Sequence, residues 1–210
     1  MITMRMLLVS AMLTSAALMP ALRAGSCCPS TPAAAPDCVL PGASVYHQEG
    51  AWVDQDNSPR TLADFAGSPV LISMVFTHCG YACPRTVEDI REVRAALPPG
   101  IRERVRIVLA SFDVARDTPE RLREWAEIHD FDAGWTLLHG DETTVRELAV
   151  LLDIAYQAQP DGSFAHANRI LMLDTNGVPV AAVDGLGASP APIVEAAARL
   201  RLPAAVARSR

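Results

Sequence analysis

Phe76-Thr77-His78-Cys79-Gly80-Tyr81-Ala82-Cys83-Pro84 is the junction between a continuous apolar run, residues 70–76, and a charged segment with apolar residues at Val87, Ile90, Val93 and Leu97. An unbroken apolar run ending in a loop reads as a buried strand, and the helical spacing that follows reads as an amphipathic helix. Proline suits the first turn of a helix and disfavours the α region for the residue before it. The spacing therefore predicts a helix from Pro84, with Cys83 near its N-cap and Cys79 in the preceding loop. Helix-start N–H groups favour a thiolate and can lower a cysteine pKa to roughly 3.5–7.5. Two thiols presented this way can close a disulfide or hold a soft metal ion.

The chain has 210 residues, 50% hydrophobic and 20% charged, which suits one globular domain with a sizeable core. Ahead of it, Arg5 precedes an apolar stretch, residues 7–22, and the small residues Ala24-Gly25-Ser26 follow. This has the form of a secretory signal; as a membrane anchor it is short and interrupted by Pro20. Cys27 follows the small residues, as the acylated cysteine does in bacterial lipoproteins, although Ala24 stands where those signals prefer a larger aliphatic residue. Either route makes the mature chain extracytoplasmic, in a bacterial periplasm, soluble or tethered through its N-terminus or a lipidated Cys27.

Without residues 1–24 the formal balance is 16 basic against 24 acidic residues, or −8. That argues against a nucleic-acid partner and against a basic membrane-binding face. Residues 25–43 are rich in Pro, Ala and Ser and read as a linker or tail. They carry Cys27, Cys28 and Cys38, an odd count for an oxidising compartment. One tail disulfide with a spare or lipidated thiol accounts for them, and auxiliary metal ligation is the other reading.

From residue 44 the folded part begins. Residues 45–53 read as an edge strand turned by residues 54–59, residues 61–65 as a helical turn, and residues 105–112 as a second buried strand. Thr118 is a candidate N-cap with Pro119 as first helical residue, and Leu122, Trp125, Ala126 and His129 share a face of that helix. Residues 135–138 read as a short strand. Asp141 caps a helix burying Val145, Leu148, Ala149 and Leu152. Residues 154–158 and 170–173 read as strands separated by the turn at 160–163. Asn176-Gly177 is a hairpin signal joining residues 170–173 to 178–183, and residues 191–202 read as a last helix. This order describes an α/β sandwich with a partly parallel central sheet. Ligands in such folds sit at the carboxyl ends of the strands, where Cys79 and Cys83 fall.

A CxxxC pair leaves more room between its sulfurs than the CxxC of redox proteins. Soft thiolates select Cu(I), zinc or iron–sulfur centres, and two sulfurs leave such a site incomplete. Of five histidines, His78 adjoins Cys79 and its side chain points away from it, and His129 lies on an inferred buried face. His47 and His139 read as surface residues. His166 lies in the polar loop 161–168 just before an apolar strand and is the candidate third donor. Arg85 and Arg116 could activate a peroxidatic thiolate, but neither lies in a peroxidase-like motif.

These stretches together resemble the SCO/SenC family of copper-binding cytochrome c oxidase assembly proteins. The resemblance runs from about residue 53 to residue 185. It is carried by Leu62-Ala63-Asp64-Phe65-Ala66-Gly67, by Phe76-Thr77-His78-Cys79 through Cys83-Pro84, and by Ser111-Phe112-Asp113 with Arg116-Asp117-Thr118-Pro119-Glu120. His166 followed by Ile170-Leu171-Met172-Leu173-Asp174-Thr175-Asn176-Gly177 completes it. The resemblance implies a thioredoxin-like fold for residues 44–203, a 204–210 tail, and copper, as Cu(I) or Cu(II), held by Cys79, Cys83 and His166. It also places Asp113 beside the site, orienting or balancing charge.

The implied role is a metallochaperone that delivers copper to the dinuclear centre of cytochrome c oxidase subunit II or another periplasmic copper protein, or that reduces the cysteines of that centre. A thiol reductant of the thioredoxin type would serve it. Gly80, Tyr81 and Val114 depart from residues common in the family, but no ligand is lost. Two alternatives are a thiol–disulfide oxidoreductase acting through a Cys79–Cys83 disulfide, and a copper or redox sensor. The first would have a proline just before the third core strand, and residues 163–173 contain none.

Overall fold

The computed structural model describes residues 40–202. The leader-like residues 1–24, the tail cysteines Cys27, Cys28 and Cys38 and the 204–210 tail lie outside the described residues. A seven-stranded mixed sheet organises what is described, in the order β2-β1-β5-β4-β3-β8-β9. β3 (Val70–Val75), third from one edge, has all six residues buried, Ser73 among its apolar neighbours. β4 (Arg106–Ser111) lies parallel to it and β5 (Trp135–Gly140) parallel to β4. β1 (Trp52–Asp54) and β2 (Pro59–Arg60) extend one edge, and β8 (Arg169–Leu173) and β9 (Pro179–Asp184) extend the other, all antiparallel to their neighbours.

The helices are α1 (Ala82–Ala96), α2 (Pro99–Arg102), α3 (Pro119–Ile128), α4 (Glu142–Leu151) and α5 (Ala191–Ala197). Thr118 and Asp141 cap α3 and α4 by accepting the N–H groups of Arg121 and Thr144. The result is the thioredoxin-like α/β sandwich with flanking helices that the sequence implied.

Four expectations change. Residues 45–47 form a 3₁₀ turn instead of the start of a strand, because the Ser44 hydroxyl accepts the Tyr46 N–H and the Gly177 carbonyl takes the Val45 N–H. Helix α1 starts two residues earlier than Pro84, with Tyr81 at its N-cap and Cys83 inside the first turn. Pro84 is tolerated there because N–H groups of a first turn have no helical partner to lose. The loop holding His166 contains a strand of its own: β6 (Tyr156–Ala158) and β7 (Phe164–His166) form a separate two-stranded hairpin. The last helix stops at Ala197 instead of 202, closed by the Arg199 and Leu200 N–H groups turning onto Ala196 and Ala197.

Gly177 closes the β8–β9 turn with φ +78°, and a Cβ there would lie 2.6 Å from the Tyr46 ring and 2.8 Å from Ser44 Oγ. Backbone strain and overpacking then act together, so Gly177→Ala is expected to cost about 3 kcal/mol. Urea denaturation of the reduced protein measures this. A loss under about 1 kcal/mol would show that the Ser44–Tyr46 turn yields without resistance.

Candidate metal centre

Strand register assembles the site. Because β3 and β4 are parallel with Val75 opposite Ser111, both chains leave the sheet at the same edge, side by side. Phe76 and Phe112 are the first residues out and their rings meet at 5.3 Å. β8 runs the other way against β3, with Ile72 opposite Leu171, so the chain enters β8 at the end where β3 leaves the sheet, and His166 lies three residues before β8. The residue after the first exit and the residue before the last core strand are therefore neighbours, although 83 residues separate Cys83 from His166. One donor atom each from Cys79, Cys83 and His166 lies within 4.8 Å of the others.

The two thiols differ. Cys83 is fully buried at the second position of α1, its Sγ accepting the Phe76 N–H at 3.4 Å. Burial pushes its pKa far up, and the nearby charges of Cys79 and Asp117 add to that. Cys79 is half-buried in the loop. Burial pushes its thiol up too, but the N–H groups of Cys83, Tyr81 and Ala82 and the Cys83 thiol outweigh this, and its pKa falls below the ordinary thiol value. The pair thus presents one half-buried thiol of lowered pKa and one fully buried thiol of raised pKa.

His166 ends β7 with its ring against Phe76 and Phe112, at centroid distances of 6.0 and 5.1 Å. Its Nδ1 meets the Ala167 carbonyl at 3.1 Å. A carbonyl only accepts, so Nδ1 carries the proton and Nε2 keeps a free lone pair. The donor set is two sulfurs and one neutral imidazole nitrogen, which fits a soft monovalent copper ion better than a hard cation.

The sequence-predicted residue Asp113 is buried and does not touch the sulfurs. Its carboxylate takes the Arg116 Nε at 2.5 Å, and Arg116 in turn donates to the Gly162 carbonyl of the β6–β7 turn. Asp117, which the sequence reading did not single out, is fully buried and more central. It accepts the Thr77 N–H at 2.9 Å, the Thr77 hydroxyl at 2.6 Å and the Ser111 hydroxyl at 2.6 Å. It thereby ties the loop before Cys79 to the exit of β4. Its one sequence signal was its place in the quoted Arg116-Asp117-Thr118-Pro119-Glu120 stretch.

The remaining histidines stay apart from the sulfurs. His78 is exposed, with Nδ1 3.8 Å from Asp117. His78, Asp113 and Asp117 form a second group of close donors, but those carboxylates already hold Arg116, Thr77 and Ser111. His47 is exposed on the Pro41 carbonyl, and His129 is half-buried against Trp125 and Phe131. His139 is no simple surface residue: it sits in β5 opposite Val53 with a buried Nδ1 that has no hydrogen-bond partner.

With this geometry in place, comparison with known proteins is informative. The sequence model of the SCO1/SenC family matches residues 42–201. A candidate copper-binding protein of Stutzerimonas stutzeri is 27% identical over 129 residues, covering 60% of this chain and 62% of that protein. The human mitochondrial protein SCO2 homolog is 28% identical over 147 residues, covering 65% of this chain and 53% of that protein. Each match thus spans less than two thirds of the relative's own length. The copper-bound structure of Bradyrhizobium japonicum ScoI superposes with a TM-score of 0.57 at 26% identity, over 71% of this chain and 93% of that one.

The thiol asymmetry is measurable. Alkylation follows the thiolate fraction, which grows as pH rises through the thiol's pKa. In the reduced protein Cys79 is expected to be alkylated first, with a pH midpoint below that of the same cysteine in the unfolded chain. Cys83 should stay unmodified until the protein is unfolded. Peptide mass mapping across pH reads both sites, and equal rates at the two cysteines would contradict the assigned environments.

Proposed function

This chain belongs to the SCO1/SenC family, and from that we propose that it is an extracytoplasmic copper carrier, with Cys79, Cys83 and His166 as the ligands of its cargo. The observation that supports this reading is the approach of two sulfurs and one imidazole nitrogen to within 4.8 Å of each other. The client we infer is the dinuclear copper centre of cytochrome c oxidase subunit II, or another periplasmic copper protein. The leader-like residues 1–24 support the compartment, and no helix of the described residues is long and apolar enough to cross a membrane.

Each side chain has a part in holding the cargo. Cys79 is the more accessible of the two sulfurs, and the N–H groups around it lower its pKa, so deprotonation on meeting an incoming ion costs less there than at Cys83. Cys83 must release a proton to become a ligand, and its burial then shields the second sulfur from oxidants. His166 contributes Nε2 with its tautomer fixed by the Ala167 carbonyl. Both sulfurs have to be reduced before loading, which is why a thiol reductant of the thioredoxin type belongs in this reading. Thiol–disulfide exchange alone would use Cys79 and Cys83 but would leave the imidazole without a role.

Copper(I) titration of reduced protein tests the assignment, with Cys27, Cys28 and Cys38 replaced by serine so that the tail does not contribute. One copper ion per chain is expected. His166→Ala should weaken binding by on the order of a hundredfold, and Cys79→Ala or Cys83→Ala more. Tight stoichiometric binding that survives in Cys79→Ala would overturn the ligand set. Because Cys83 gives up a proton on loading, apparent affinity should rise with pH across the neutral range, a sign that calorimetry in two buffers confirms as proton release. Rapid insulin reduction unaffected by His166→Ala would favour the exchange enzyme instead.

A further inference from the structure

The two thiols and the imidazole stand on supports of different kinds. Cys79 and Cys83 are fixed by the β3–α1 junction, whose backbone belongs to the main sheet and a 15-residue helix. His166 stands on the β6–β7 hairpin, a sheet of its own that shares no strand pairing with the main one. Tyr156 at the base of that hairpin and Phe164 beside its turn both rest on the Phe112 ring at 5.1 Å, and Phe164 also meets Phe76 at 5.2 Å. Apolar contact of this sort sets distance but is weakly directional.

Arg116 supplies a direction. Its Nε holds Asp113 at 2.5 Å, its Nη2 donates to the Gly162 carbonyl at the hairpin tip at 2.6 Å, and its guanidinium carbon lies 5.9 Å from the centre of the Phe164 ring. Asp113 is itself immobile: it is buried, its carbonyl accepts the Arg116 and Asp117 N–H groups, and its N–H is held by Ser111 Oγ. Gly162 has φ +80°, so its carbonyl is turned by a conformation that other residues resist, and a Cβ there would come within 3.4 Å of Arg116 Nη1. A groove of about 330 Å3, lined by Val114 and Ala115 of the β4–α3 turn and by Gln157 and Ala158 of the hairpin, runs open beside this bridge.

We propose that Arg116 is a positioning residue for the third metal ligand: by bridging the Asp113 carboxylate and the Gly162 carbonyl it latches the β6–β7 hairpin so that His166 faces the two sulfurs. The inference rests on the ligand assignment of the preceding section. Arg116 touches none of the three donors and acts on copper only through His166. A planar, multidentate guanidinium suits a bridge between a carboxylate and a carbonyl, and a lysine ammonium at the same position cannot reproduce both bonds in fixed directions.

The test pairs Arg116→Met with His166→Ala in the tail-serine background. In reduced protein, Arg116→Met is expected to weaken copper(I) binding about tenfold, in the range found for residues that orient a ligand. In the His166→Ala background the same change should cost nothing further, because there is no imidazole left to orient. In the metal-free protein, hydrogen exchange should quicken at the Ala167 N–H, which closes the hairpin base on the Ala155 carbonyl, while the Cys79–Cys83 reduction potential stays unchanged. Arg116→Lys should show the copper and exchange effects too, and it stands in if the methionine variant does not fold.

Wild-type copper affinity in both Arg116 variants, or an equal loss with and without His166, would overturn the proposal. If His166→Ala itself binds copper as the unmodified chain does, the ligand assignment falls. Hairpin exchange in the metal-free protein would then still decide whether Arg116 is a latch.

Discussion

The pairing of β3 with its two neighbours is the constraint on which the site depends. Parallel pairing with β4 places two strand exits at one edge, and antiparallel pairing with β8 returns the chain to that same edge from the opposite direction. A one-residue slip in either register would exchange the two faces of a strand and misplace every side chain it packs into the core. All six residues of β3 are buried, so such a slip would break packing on both faces at once, where each buried aliphatic side chain contributes about 1.5–3 kcal/mol. The core thus sets where β8 begins, and the β6–β7 hairpin, which pairs with no strand of the main sheet, carries His166 from there.

A second tier of polar contacts refines what the core sets. Asp117 is a fully buried carboxylate, and an uncompensated charge in that place would cost about 3–5 kcal/mol. Three donors from Thr77 and Ser111 offset it, and in doing so they clamp the segment that leads into Cys79. Arg121 adds a fourth link by donating to the Thr77 hydroxyl at 3.2 Å. The thiol loop is therefore short, anchored at Thr77 and again at the Cys83 sulfur by the Phe76 N–H, with its exposed part confined to residues 78–81. On the imidazole side the support is aromatic contact and one half-exposed guanidinium, which links the buried Asp113 carboxylate to the Gly162 carbonyl.

Much of this was legible in the sequence because it follows from pattern. The apolar run of β3, the caps Thr118 and Asp141, and the Asn176-Gly177 turn are local signals, and each appears where those signals point. The third donor was signalled only weakly: its polar loop before an apolar strand set His166 ahead of four other histidines, and family resemblance made it a ligand. The α1 boundary was misread because the rule against helical conformation before proline is a preference, which the first turn can override at Cys83. The β6–β7 hairpin was missed because Phe164-Ala165-His166 is too short and half-exposed to show a period. Asp117 was passed over because its importance lies in contacts 40 residues away in sequence, with Thr77, and spacing carries no trace of them.

The unequal burial of the sulfurs also limits how a carried ion could enter and leave. Cys83 is reached by no solvent, so exchange with any partner has to proceed on the side of Cys79, where Gly80 and Tyr81 are exposed. Tyr81 is 76% accessible, a large apolar side chain held out beside the more reactive thiol. An incoming donor would therefore meet Cys79 first, and the Cys83 sulfur would be the last to let go. On the proposed ligand assignment loading would follow the same order, with Cys79 bonding first and Cys83 releasing its proton to complete the site. On that assignment, binding and release would be distributed over two sulfurs of different burial, so that a site could be tight once closed and still open stepwise from one side.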